Sequence, residues 1–103
     1  MITVIATFKL PKPLSLQEAK AIFQSTAPKY QDQQGLVRKY YILSEDGTTA
    51  GGVYLWRSRE EAEALYTDDW KAFIQSKYGS EPSLVYMQSP VIVDNTTHQV
   101  LSS

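Results

Sequence analysis

Lys39 is the residue on which a reaction could turn. It sits in LVRKYYIL, residues 36–43, among apolar and aromatic neighbours. A lysine buried in such a setting has its charged form disfavoured and could act on an enolate or a phenolate. The commoner arrangement packs the aliphatic stem and leaves the ammonium in solvent; both readings stand for Lys39, and Arg38 beside it admits the same two. The chain also carries seven Tyr, three Phe and two Trp. Such a set can line a dry pocket that stacks a polycyclic molecule, although an aromatic at any one position more often fills a core. Tyr66 and Trp70 flank a suspected break in a helix and make better pocket candidates than Trp56, which stands at a strand end and is expected to pack at a helix corner or a subunit interface. The candidate substrate-binding set is Lys39, Tyr41, Tyr54, Tyr66 and Trp70. No residue presents itself as the catalytic base.

Other chemistries lack their residues. There is no cysteine, so disulfides, thiolate nucleophiles and thiolate-bound metals are excluded. His98 is the one histidine; it lies in a polar C-terminal stretch, and no His/carboxylate cluster has ligand spacing, so neither metal nor cofactor is expected. Glu60, Glu61 and Glu63 read as a solvated helix start whose charge suits the helix dipole. Asp68 and Asp69 read as a local cap. Gly51-Gly52 lacks the Lys-Ser/Thr of a phosphate loop and marks a close backbone approach or a bulge within a strand. A net charge of −1 offers no footprint for nucleic acid or an anionic membrane. No apolar run reaches the ~20 residues that span a bilayer. Met1-Ile2-Thr3 leads straight into a strand pattern without the regions of a signal peptide, so a cytoplasmic location is expected.

Positioning these residues requires an alternation of strands and helices. Ile2–Lys9 alternates apolar and smaller or polar residues, as a strand does. Ser15 and Glu18 form an S-x-x-E capping box, and Leu16, Ala19, Ile22, Phe23 and Ala27 follow at helical spacing. Pro28 falls near the end of that helix or kinks it, and Gly35 closes the connection. Residues 36–43 form a second strand, Asp46-Gly47 a tight turn, and residues 48–57 a third strand. Ser58 and Glu61 form a second capping box, with Ala62, Leu65 and Tyr66 behind it. The Thr67-Asp68-Asp69 segment predicts a break, after which Trp70, Phe73, Ile74 and Lys77 resume a helical face as far as Gly79. Residues 84–93 are expected as a fourth strand with Pro90 at an edge or bulge, leaving residues 95–103 as a loose polar tail.

The order βαββαβ is the split pattern of a ferredoxin-like α+β domain, here assigned to residues 1–94. Two helices cover one face of a four-stranded antiparallel sheet. With Asp46-Gly47 as a two-residue turn, paired residues sum to 93. Lys39, Tyr41, Gly52, Tyr54 and Trp56 then share one face, and Tyr40, Ile42, Val53 and Leu55 the other; one extra residue in the turn would break the grouping. Both faces are too apolar for water, so a second copy of the sheet is expected to cover the bare one, giving a homodimer.

The AGGVYLW segment at residues 50–56, the SREEAEAL behind it and GLVRKYYILSED at residues 35–46 resemble the YdhR-like mono-oxygenases. That family belongs to the dimeric α/β-barrel superfamily, which also holds the cofactor-independent antibiotic-biosynthesis mono-oxygenases. The resemblance runs over residues 2–94. It implies two sheets closed face to face and a pocket between each sheet and its helices. It also implies Lys39 at a position where family members carry lysine between aromatics, with Arg38 and Tyr41 here replacing two of those aromatics. The function it implies is cofactor-independent mono-oxygenation of an aromatic or electron-rich small molecule. The rivals are a non-catalytic small-molecule-binding or stress-associated homodimer, and an isomerase or decarboxylase of a cyclic acid in the same barrel.

Overall fold

A computed structural model describes residues 1–102. Its elements run β1 (Ile2–Lys9), α1 (Leu16–Tyr30), β2 (Leu36–Leu43), β3 (Thr49–Trp56), α2 (Arg59–Leu65), α3 (Asp68–Tyr78), β4 (Ser83–Gln88), β5 (Val91–Asp94) and β6 (Gln99–Ser102). β1 to β4 make an antiparallel sheet in the order β2-β3-β1-β4, the α+β ferredoxin-like arrangement. β1 alternates buried and half-buried residues along its length. Two of its buried side chains meet a partner of different size on β3: Phe8 pairs with Ala50 and Val4 with Tyr54. Small opposite large keeps the shared face level enough for helices to lie on it.

The β2–β3 register decides which side chains face the helices. The connection is wider than a two-residue turn. Ser44 and Thr49 close the ladder, Gly47 takes a positive φ of 76°, and the Asp46 carboxylate accepts from Ser44 Oγ and from the Thr48 amide and hydroxyl. Residues 45–48 therefore form the loop. That lengthening is even, so Lys39 still pairs with Tyr54, Tyr40 with Val53 and Tyr41 with Gly52. The register slips at the far end of the strand, between Leu36 and Arg38. The face carrying Lys39, Tyr41, Gly52, Tyr54 and Trp56 is the one beneath the helices, together with the buried Ile2, Val4, Ala6 and Phe8. The opposite face leaves Tyr40 55%, Val85 43% and Met87 55% exposed.

Helix ends follow local chemistry. Ser15 Oγ accepts from the Glu18 amide and the Glu18 carboxylate accepts from the Ser15 amide, a complete box. At α2 only half of the expected box forms: Ser58 Oγ accepts from the Glu61 amide but donates to the Glu61 carboxylate, which is thereby turned from the backbone. The predicted break is real, and its cap is Thr67, whose hydroxyl accepts from the Trp70 amide; Asp68 and Asp69 occupy the first turn of α3. Pro28 sits in the last turn of α1.

The chain's end departs from expectation. β4 stops at Gln88, and Val91–Asp94 turns away to pair with Gln99–Ser102 in a separate hairpin. A boundary after residue 94 thus falls inside a hairpin, and residues 95–102 are no loose tail. The Ser89 amide makes the last bond to this edge of the sheet, donating to the Met1 carbonyl, and Pro90 follows it, while Asp94 caps the new turn by accepting from Thr96. Ser103 lies outside the described residues. No helix among the described residues is long and apolar enough to cross a membrane.

Candidate functional site

β2 is an edge strand of the main sheet, and it delivers Lys39 and Tyr41 beneath α1. β3 brings Tyr54, and the last turn of α1 brings Tyr30. The Lys39 ammonium lies 3.4 Å from the Tyr30 ring centroid, 3.8 Å from that of Tyr41 and 4.6 Å from that of Tyr54. Each contact lies within cation–π range, so three rings enclose one cation. Gly52, opposite Tyr41, makes the room: a Cβ there would stand 3.0 Å from Lys39 Cε and 2.9 Å from Tyr54 Cε1. Gly51 marks the close backbone approach expected of this pair, since a Cβ on it would collide with the Ala6 carbonyl.

The electrostatics are one-sided. No carboxylate among the described residues forms an ion pair with Lys39. Its side chain is half-buried, and desolvation, followed by repulsion from Lys29, lowers its pKa to about 7. The ring faces act in the opposite sense, favouring the ammonium. Of the two sequence readings, the lysine withdrawn from solvent is the one this geometry presents. Burial raises the Tyr54 phenol, and the neighbouring Tyr30 and Tyr66 add to the rise. It raises Tyr30 as well, partly offset by the Trp70 indole.

Around this cage, Trp70 Nε1 donates to Tyr30 Oη at 3.0 Å. Trp56 Nε1 donates to Tyr66 Oη at 3.1 Å. Tyr66 stands edge-on to Tyr54 at 5.4 Å and to Trp70 at 4.9 Å. Lys39, Tyr41, Tyr54 and Trp70 therefore line one cavity, whereas Tyr66 stands behind Tyr54 and Trp70 and does not line it. His98 is exposed at the hairpin turn.

Free space in that cavity is about 20 Å³, roughly one water. Beside it lies an open groove of about 450 Å³ between α1 and the β2 edge, lined by Leu16, Lys20, Phe23, Gln24, Ala27, Tyr41 and Leu43. The two spaces share Phe23 and Tyr41, stacked at 4.8 Å. Thr26 Oγ1 holds the Tyr41 hydroxyl at 2.8 Å.

Sequence reasoning missed Tyr30, Phe23 and Thr26 as lining residues. Their signal was the α1 face itself: Ala19, Phe23, Thr26 and Tyr30 recur at steps of four, three and four. Following that face through Pro28 would have reached Tyr30.

The chain matches the family model described as "Putative mono-oxygenase ydhR" over residues 4–83. No curated protein sequence matches it. Solved structures share its fold at low identity. A monooxygenase from the gene ActVA-Orf6 of Streptomyces coelicolor, in complex with the ligand nanaomycin D, superposes with a TM-score of 0.64 at 17% identity, over 85% of this chain and 86% of that one. SnoaB, a cofactor-independent oxygenase from Streptomyces nogalater, gives 0.61 at 17% identity over 85% and 91%. A conserved protein from Methanosarcina mazei gives 0.63 at 16% identity over 85% and 91%.

Proposed function

Because the chain belongs to the YdhR mono-oxygenase family, we propose that it is a cofactor-independent mono-oxygenase of a flat, electron-rich aromatic molecule bound where the groove meets the lysine cage. The observation that carries this reading is the Lys39 ammonium, held by three tyrosine rings and ion-paired to no carboxylate among the described residues, beside an open apolar groove. A deprotonated anthrone can itself give an electron to O2. The resulting carbon radical and superoxide combine to a hydroperoxide, and loss of water turns a ring-flanked CH2 into a carbonyl; one oxygen atom enters the product and the other leaves as water. The protein's contribution is a preorganised positive charge for the substrate anion and apolar walls that exclude bulk water. Phe23 and Tyr41 supply the stacking wall, and Tyr54 and Trp70 the floor behind the cage. Tyr66 supports that floor.

A second copy of the chain completes the molecule. The bare sheet face presents Ile5, Tyr40, Ile42, Val53, Leu55, Val85 and Met87 side by side, an apolar area of the kind that marks an interaction surface, and an isologous pairing covers both copies at once.

Oxygen uptake with a panel of hydroquinones and anthrones tests the oxygenase. The expected result is substrate-dependent consumption that falls at least tenfold in Lys39→Met or Trp70→Phe with the oligomer intact. The non-catalytic binder draws on the narrowness of the inner cavity, and predicts saturable fluorescence quenching with no consumption above background; that outcome overturns the oxygenase.

A further inference from the structure

No carboxylate among the described residues forms an ion pair with Lys39. Lys29 and Tyr30 of α1, Tyr41 of its own strand and Tyr54 of β3 approach it, α3 adds Tyr78 at the inner cavity, and Asp32 and Arg38 share an open groove with it, Asp32 forming no ion pair with it. Ring quadrupoles attract a cation without neutralising it, and a desolvated charge without a partner of opposite sign is costly. Lys39 itself lines an inner void and an open groove of about 300 Å³ that carries Asp32 and Arg38, and a second, apolar groove lies beyond Tyr41. The inner void takes about one water's worth of matter: about 20 Å³ beside the ammonium. The apolar groove is about 450 Å³ and divided from the void by the stacked pair Phe23 and Tyr41. A ligand matching the void and the apolar groove has a compact charged head and a flat apolar body.

We propose that the site selects small aromatic anions, pairing one carboxylate or phenolate head with the Lys39 ammonium while the ring system lies in the groove against Phe23 and Tyr41. The proposal rests on the functional reading, which already sets an anion at Lys39, and adds the compact head group that carries the charge and the selection against neutral isosteres. Lys29 reinforces the selection, since its positive charge is near enough to repel Lys39 and so attracts what Lys39 attracts. Because the head needs the ammonium, affinity for a carboxylate is highest below about pH 7 and falls as Lys39 deprotonates above it.

Calorimetric titration with 2-naphthoate and with its neutral isostere 2-naphthamide tests the selection on the intact protein. At pH 6 the naphthoate is expected to bind at least tenfold more tightly, with the preference shrinking below threefold at pH 9. Lys39→Met abolishes the preference, while Lys39→Arg, whose guanidinium does not titrate in this range, keeps it at pH 9. The phenolate head is tested with 2,4-dinitrophenol, which is ionised at pH 6 while Lys39 is still largely charged, and is expected to bind there more tightly than its neutral methyl ether. Equal binding of naphthoate and naphthamide at pH 6, binding of neither at millimolar concentration, or a preference that survives in Lys39→Met overturns the proposal. Preference for the anion without oxygen consumption by any substrate overturns the oxygenase reading alone. Oxygen consumption by wild-type protein without that preference overturns the anion selection alone.

Discussion

Lys39 makes the fold's stability depend on pH in a defined direction. Its folded pKa, about 7, lies below the ordinary 10.5. Below about pH 7 both folded and unfolded chains hold the proton, and the full cost of enclosing the charge is present. Above it the unfolded chain holds more protons, so stability rises with pH, at most ~1.4 kcal/mol per unit. Burial raises Tyr30, Tyr54 and Tyr66 above the ordinary phenol value of 10.0. Their contribution is present below pH 10 and is lost above it, as the unfolded chain sheds protons that the folded chain keeps. Chemical denaturation at a series of pH values should therefore show stability climbing from pH 7 to about 9 and falling beyond 10. Lys39→Met should remove the climb and leave the fall; an unchanged climb would mean that the ammonium is in water. Gly52→Ala pushes a methyl into Lys39 Cε and Tyr54 Cε1. It should cost about 1–3 kcal/mol as an overpacked site, read from the denaturation midpoint, and open the cage.

Among the elements, the caps and the strand parity carried most of what the sequence could say. Ser15→Ala removes a complete capping box and should lower stability by about 1 kcal/mol. Thr67→Ala should cost a similar amount, and its effect reaches the pocket because α3 begins there and carries Trp70. Denaturation midpoints for both, with indole fluorescence for the second, check this. The break at Thr67 was legible because Thr and Asp bond their own backbone. The strand faces were legible because the loop grew by an even number of residues, which leaves parity untouched. Two things were not. The encirclement of Lys39 joins α1 to β2 and β3, a tertiary juxtaposition that no local spacing encodes, and Pro28 hid the continuation of the α1 face to Tyr30. The β5–β6 hairpin was read as tail because its loop, DNTTH, is polar, yet Asp94 and Thr96 make that loop a turn. The Ser58 cap lost its second half because Glu61 has the nearer Ser58 hydroxyl to accept from.

The whole molecule is a half-covered sheet. Helices bury Ile2, Val4, Ala6, Phe8, Tyr54 and Trp56 on one side, while Tyr40, Val85 and Met87 stay exposed on the other. If the proposed pairing covers that second face, a charge at its middle, as in Val53→Asp, is left unpaired between the copies and should convert the dimer to monomers in sedimentation velocity; a wild-type protein already monomeric at micromolar concentration would contradict the pairing. The account's central claim is that an aromatic ligand is held between α1 and the β2 edge with its polar atom at the Lys39 cage. A crystal structure of the protein grown anaerobically with an anthrone tests it most directly. The account predicts the ring system stacked on Phe23 and Tyr41 with an oxygen beside Lys39 Nζ. Density for the anthrone on the uncovered sheet face, with the tyrosine cage closed and the groove empty, would contradict it.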